Sequence, residues 1–194
     1  MQLRLPLVKA SKPEWIKAVL NNFPEFLIDH ANCERKASAF AMSLIAKYPN
    51  KKEIIPQLIE IALEELEHFR DVYHLIEEKG LQMPHEIQED QYVKELLKLC
   101  RNGREDNFLD RLLIGSVIEA RGAERFKILY ENINEAELKK FYHELWASEA
   151  KHGDVFVKMA LQFYTEEIVY KRLQEINEAE GAIVDSLPIN GLMH

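Results

Sequence analysis

The chain has 194 residues, 47% of them hydrophobic, which is enough for one well-packed domain and too few to require two. Acidic residues outnumber basic ones by 33 to 25, and the formal charge of −8 argues against broad, nonspecific nucleic-acid binding, which needs clustered Lys and Arg. With 7 Gly, 7 Pro and no alternating apolar runs between turn residues, the chain offers a β-sheet nothing to form from.

Helix signals then follow one another in chain order. A short helix is predicted from about Lys12 to Asn21, with Ser11 as its cap and Pro13 in its first turn. A long helix from about Pro24 to Tyr48 is stopped by Pro49 and Asn50. The next runs from about Lys52 to Lys79, with Pro56 in or near its first turn and Gly80 as a left-handed stop. A weaker helix at about Glu89 to Arg101 lies inside the connection from Gly80 to Glu105. Two further long helices are expected at about Asp106 to Asn132 and Asn134 to Phe163, then a polar helix at about Glu166 to Ala179 and an irregular tail. The chain therefore reads as all-α: two long-helix hairpins, joined by a long crossover, forming one four-helix bundle with additional short helices. A single domain is expected over 1–194, with the bundle core at about 24–163 and the last helix and tail at 164–194.

No apolar stretch approaches the roughly 18 to 20 residues that span a bilayer, and Met1 to Ala10 lacks the apolar core of a secretory signal. A cytoplasmic protein without membrane attachment is expected. Cys33 and Cys100 form no metal-binding pair, so reduced thiols are the default.

The pattern Glu-x-x-His occurs at Glu65 and His68 and again at Glu149 and His152, which at helical spacing puts both side chains of each pair on one face. Alone this is weak evidence, because in a Glu-rich chain about one such pair is expected from composition. Position on the helix is more telling. Glu65 and His68 fall within the apolar stripe Leu58, Ile61, Ala62, Phe69, Val72, Leu75, Ile76, whereas Glu60, Glu64, Glu67, Asp71 and Glu78 trace the opposite, solvated face. Glu149 and His152 lie within the stripe Tyr142, Leu145, Trp146, Gly153, Phe156, Met159. Glu34 sits among Leu27, Ala31, Ala37, Ala41 and Ile45, and Glu119 among Leu112, Gly115, Ser116, Ala123 and Phe126. Glu65 and His68 recur as Glu149 and His152, 84 residues on in both cases, and Glu34 recurs as Glu119 85 residues on, which suggests a duplicated hairpin. The remaining histidines carry no such pattern: His30 and His74 read as surface or packing residues, and His85, His143 and His194 have no evident partner.

Four carboxylates cannot sit ionised together in an apolar core, since each would cost several kcal/mol. Two divalent cations would balance them and leave neutral imidazoles as the other ligands. One Glu from each of two helices plus a Glu-x-x-His from each of the other two is the ligand set of ferritin-like di-iron and di-manganese bundles. Mixed O and N ligation favours iron, with manganese second, over thiolate-seeking metals. With four carboxylates on metal, the charge that solvent meets falls from −8 to about −4, so local basic patches remain possible.

A di-iron bundle can oxidise iron for storage, reduce peroxide or activate dioxygen, and spacing does not choose among these. The blocks from Leu27 to Glu34, Glu64 to Phe69, Ile118 to Phe126 and Ser148 to His152 resemble the signatures of the tRNA hydroxylases that act on methylthio-isopentenyl-adenosine beside the anticodon, and the similarity covers about Trp15 to Phe163. The resemblance implies a monooxygenase in which Glu34, Glu65, His68, Glu119, Glu149 and His152 hold two iron ions. Dioxygen would be a co-substrate, with one atom inserted into a terminal methyl of the isopentenyl group. No nucleotide-binding Gly-rich loop or iron–sulfur cysteine set is present, so the two electrons imply an external ferredoxin- or reductase-like donor. Candidate phosphate contacts to the tRNA are Lys47, Lys51 and Lys52 after the first long helix and Arg101, Arg104 and Arg111 around the crossover. The alternatives are a ferritin-like ferroxidase and a quinone-ring hydroxylase, which share the ligand pattern. A rubrerythrin-like peroxidase is disfavoured by the lack of a Cys-x-x-Cys domain and by Gly122 three residues after Glu119.

Overall fold

The computed structural model describes residues 6–86 and 89–194. The first five residues of the segment read as lacking a secretory core, and two residues of the crossover, lie outside that range. Seven helices occur among the described residues: α1 (Pro13–Asn21), α2 (Phe23–Lys47), α3 (Ile55–Glu78), α4 (Gln91–Leu97), α5 (Arg104–Asn132), α6 (Ala136–Ala160) and α7 (Glu166–Ser186). The chain divides into two compact units, one of 1–16, 89–189 and 194, the other of 17–88 and 190–193.

In the smaller unit α2 packs along α3. Proline opens each helix in its first turn, where its missing N–H costs nothing, and Gly80, at φ +66°, ends α3 in the left-handed conformation that other residues avoid. Phe26, Leu27, Ala31, Ala41 and Leu44 of α2 and Leu58, Ile61, Val72 and Ile76 of α3 are all buried. Each large aliphatic or aromatic among them contributes about 1.5–3 kcal/mol through burial. Ser38 Oγ donates to the Ala62 carbonyl at 2.8 Å, tying the helices together one turn from Glu34. Helix α3 starts three residues later than the sequence suggested, because residues 52–54 form turns before Pro56.

In the larger unit α5 packs along α6, and α7 lies against α5 and α4. Leu112, Leu113 and Ile114 are all buried, as expected of a helix covered on several sides. Acidic Glu105 and Asp106 occupy the first turn of α5, where the helix dipole favours them. Ser116 Oγ donates to the Gly153 carbonyl at 2.8 Å, and a Cβ at Gly153 would stand 3.2 Å from the Ser116 carbonyl oxygen. The small residues at this level therefore bring α5 and α6 close.

Two buried ionic networks hold the peripheral pieces. Asp110 accepts from the Arg101 backbone N–H at 2.8 Å, from the Arg101 guanidinium, and from Arg172 Nε at 2.8 Å, binding the segment after α4 to α5 and α7. Burial pushes the Asp110 carboxyl up, but the bonds from both arginines outweigh it and hold the group below the ordinary value. Deeper in, Arg121 donates from Nε and Nη2 to the two oxygens of Glu180, at 2.7 and 2.9 Å, and from Nη1 to Glu124 at 2.6 Å and Ser11 Oγ at 3.3 Å. Tyr92 Oη donates to Glu180 at 3.0 Å. Arg125, stacked 5.0 Å from the Trp15 ring centroid, is pushed down to about 10 by burial first and by the Arg121 charge second. Ser11, expected only as a helix cap, donates its hydroxyl to Glu124 at 2.7 Å.

Candidate metal centre

Each unit contains a triad of two carboxylates and one imidazole. In the smaller unit α2 supplies Glu34, and α3 supplies Glu65 and His68 three residues apart on its inner face. His68 Nδ1 lies 3.4 Å from Glu65 Oε2 and 4.0 Å from Glu34 Oε2. In the larger unit α5 supplies Glu119 and α6 supplies Glu149 and His152. His152 Nδ1 lies 3.6 Å from Glu149 Oε2 and 4.0 Å from Glu119 Oε2. The near-identical distances carry the internal repeat from sequence into geometry.

The triads suit a metal by size and charge. Within each, one ligand atom per residue lies within 4.8 Å of the others. Two atoms bound to one first-row cation at about 2.1 Å can be no more than about 4.2 Å apart, and the His–Glu separations of 3.4–4.0 Å satisfy this. Two carboxylates balance one divalent cation, and the five residues Glu34, Glu65, Glu119, Glu149 and His152 are buried while His68 is partly so. These are carboxylate and histidine clusters suited to binding metal.

The sequence reading missed one neighbour. His30, read as a surface or packing residue, is fully buried, and its Nε2 lies 2.6 Å from Glu34 Oε1. An ionised carboxylate can only accept, so the imidazole donates and fixes which way Glu34 turns. His30 occupies the helix position four before Glu34, within the same apolar stripe, a signal equal in kind to the one that marked Glu65. Replacing His30 with Ala should weaken metal affinity by about 10–100-fold with the helices retained, measured by competition with a chelator of known affinity. Unchanged affinity would make the contact incidental.

Other candidates fall elsewhere. His74 is exposed, as expected. His194, for which the sequence showed no partner, has its Nδ1 3.4 Å from Asp90 Oδ2 and its ring stacked on Tyr92 at 4.7 Å. Among the basic residues, Arg101 is engaged by Asp106 and Asp110 and so is structural, Arg111 donates to Asn107 at 3.1 Å, and Lys52 and Arg104 are exposed. No helix of the described residues is long and apolar enough to cross a membrane.

Comparison with known proteins bears on the fold and the family. A solved structure titled "Protein 43 with aldehyde deformylating oxygenase activity from Synechococcus" superposes with a TM-score of 0.91 at 31% identity, covering 97% of this chain and 94% of that one. With its all-helical architecture and paired carboxylate–histidine clusters, the chain is a ferritin-like protein. A family model described as tRNA-(MS[2]IO[6]A)-hydroxylase (MiaE) matches residues 4–194. Two relatives carry the name tRNA 2-(methylsulfanyl)-N(6)-isopentenyladenosine(37) hydroxylase. The protein from Pseudomonas putida is 36% identical over 89% of this chain and 83% of its own length, and the protein from Salmonella typhimurium is 26% identical over 84% and 77%. The chain belongs to this tRNA hydroxylase family.

Proposed function

We propose that this chain is a di-iron monooxygenase that hydroxylates the isopentenyl group of methylthio-isopentenyl-adenosine next to the anticodon of tRNA. The observation that carries the reading is the pair of matched carboxylate–histidine triads in a chain whose relatives bear that name. Glu34, Glu65 and His68 would hold one iron and Glu119, Glu149 and His152 the other; the donor set fits iron first and manganese second. The irons, when bound, supply the activation of dioxygen, whose one atom enters a methyl C–H bond while the other leaves as water after two electrons and two protons are added.

The protein's own residues do the rest. His30 holds Glu34 by its Oε1, which leaves Oε2 on the side of His68. The Ser38 and Ser116 bonds lock each helix pair at the level of its triad, so the ligands are positioned before metal arrives. The apolar residues that bury the triads keep bulk water from the reacting methyl group. Lys47, Lys51 and Lys52, clustered at the end of α2, are the candidate phosphate contacts, with Arg104 beside α5; Arg101 drops out because Asp106 and Asp110 hold it.

The test is mass spectrometry of tRNA nucleosides from cells lacking the protein. Such cells should accumulate methylthio-isopentenyl-adenosine and lose its hydroxylated form, and the wild-type chain should restore it. Persistence of the hydroxylated nucleoside would contradict the assignment. A ferroxidase remains the second reading only because it uses the same six ligands.

A further inference from the structure

Exposed large hydrophobic residues gather on one helix of the smaller unit: Ile59, Leu63, Leu66 and Tyr73 all lie on α3. Their spacing of four, three and seven residues lines them up along a single outer stripe, turned away from Glu65 and His68 on the inner face. One border of the stripe is acidic, formed by exposed Glu60, Glu64, Glu67 and Asp71. Arg70 lies within the stripe and its Nε donates to Asp71 at 3.4 Å, while His74 stands 3.4 Å from Glu77. Several large apolar side chains exposed along one helix face, rimmed by polar residues, mark an interaction surface.

We propose that this face of α3 is the docking site for a protein electron donor whose redox cofactor is surrounded by a basic, partly apolar surface; the proposal rests on the di-iron reading above. Charge decides against the other occupants. The acidic border repels RNA phosphates, and a second copy of the chain would bring acid against acid. A partner with Lys and Arg around an apolar centre meets both features at once.

Position selects an electron donor among basic partners. Helix α3 carries two proposed ligands on the face opposite the stripe, and an α-helix with its side chains is only about 10–12 Å across. A donor seated on the outer face therefore stands one helix width from the iron that Glu65 and His68 would hold. His68 is also the most exposed of the six ligands, its side chain 15% accessible against 5% for His152. In the transfer itself the donor is oxidised by two electrons and two ferric ions are reduced to ferrous, with no bond made or broken.

The probe is cytochrome c, a basic redox protein with an exposed haem edge. Its ferric form should bind the metal-free protein in calorimetry at low salt, and the reduced, iron-loaded protein should pass electrons to it in stopped flow. The double variants E64K/E67K and L63S/L66S should each weaken binding and slow transfer by about tenfold, while reduction of the small acceptor ferricyanide stays unchanged. The same charge change at Glu166 and Glu167 on α7 should alter both by less than about twofold. Equal effects from the α3 and α7 variants, or none from either, would overturn the docking site. A dimer in sedimentation that L63S/L66S dissociates would assign the stripe to a second copy and overturn it as well. If the wild-type protein, loaded with iron and treated with dithionite, reduces neither acceptor, the di-iron reading itself fails.

Discussion

With the proposed di-iron centre, the purified protein should hold two irons per chain, and replacing Glu65 with Ala should lower this to at most one and should also stabilise the metal-free form. The opposite signs follow from burial. Glu65 is 1% exposed, and an ionised carboxylate there costs several kcal/mol unless a cation meets it. Iron held there would offset that cost and tie α3 to the metal, and its removal by chelator would take the offset away. An acid held only by packing or an ion pair would lose stability in both forms. Thermal unfolding with and without chelator, beside iron analysis, separates the cases, and Glu67→Ala on the exposed face of the same helix should change none of these quantities. A variant that keeps two irons, or that is destabilised in both forms, would remove Glu65 from the ligand set.

Replacing Arg121 with Met should destabilise the protein by about 3–5 kcal/mol. Both partners of the Arg121–Glu180 pair are fully buried, so the variant leaves the Glu180 carboxylate with Tyr92 as its remaining donor among the described residues. Glu124 and the Lys9 carbonyl lose donors as well. Removing both charges, as in R121M/E180M, should recover much of the loss, because an apolar pair of similar volume needs no counter-charge. Urea denaturation of the two variants measures the difference. A single variant within about 1 kcal/mol of wild type would mean that the network is dispensable.

The triads and the network were not equally legible in the sequence. Glu65, His68, Glu149 and His152 stood out because each lies at a helical position otherwise apolar, and because the pairs repeat at one interval. The helices were legible for the same reason, with ends shifted by a few residues where turns or caps intervene. Helix α7 is the exception. It was expected to end at about Ala179 and continues to Ser186. Val169, Leu173, Ile176 and Val184 sit at stripe spacing, and Glu180 falls among them. Periodicity alone cannot tell whether an acid within a stripe meets a metal, an arginine or solvent, and Arg121 lies 59 residues away. His30 was missed in the same way: its partner Glu34 was recognised, but a lone imidazole in a stripe is as often a packed residue as a working one.

The most direct test of di-iron oxygenation is the origin of the inserted oxygen atom. The iron-loaded, chemically reduced protein is given labelled dioxygen and tRNA bearing methylthio-isopentenyl-adenosine, and the nucleosides are analysed by mass spectrometry. Label should enter the hydroxyl group from the gas and not from labelled water, and His152→Ala should abolish the product while Glu67→Gln leaves it nearly unchanged. Label arriving from water, or equal loss in both variants, would contradict oxygenation by these six ligands.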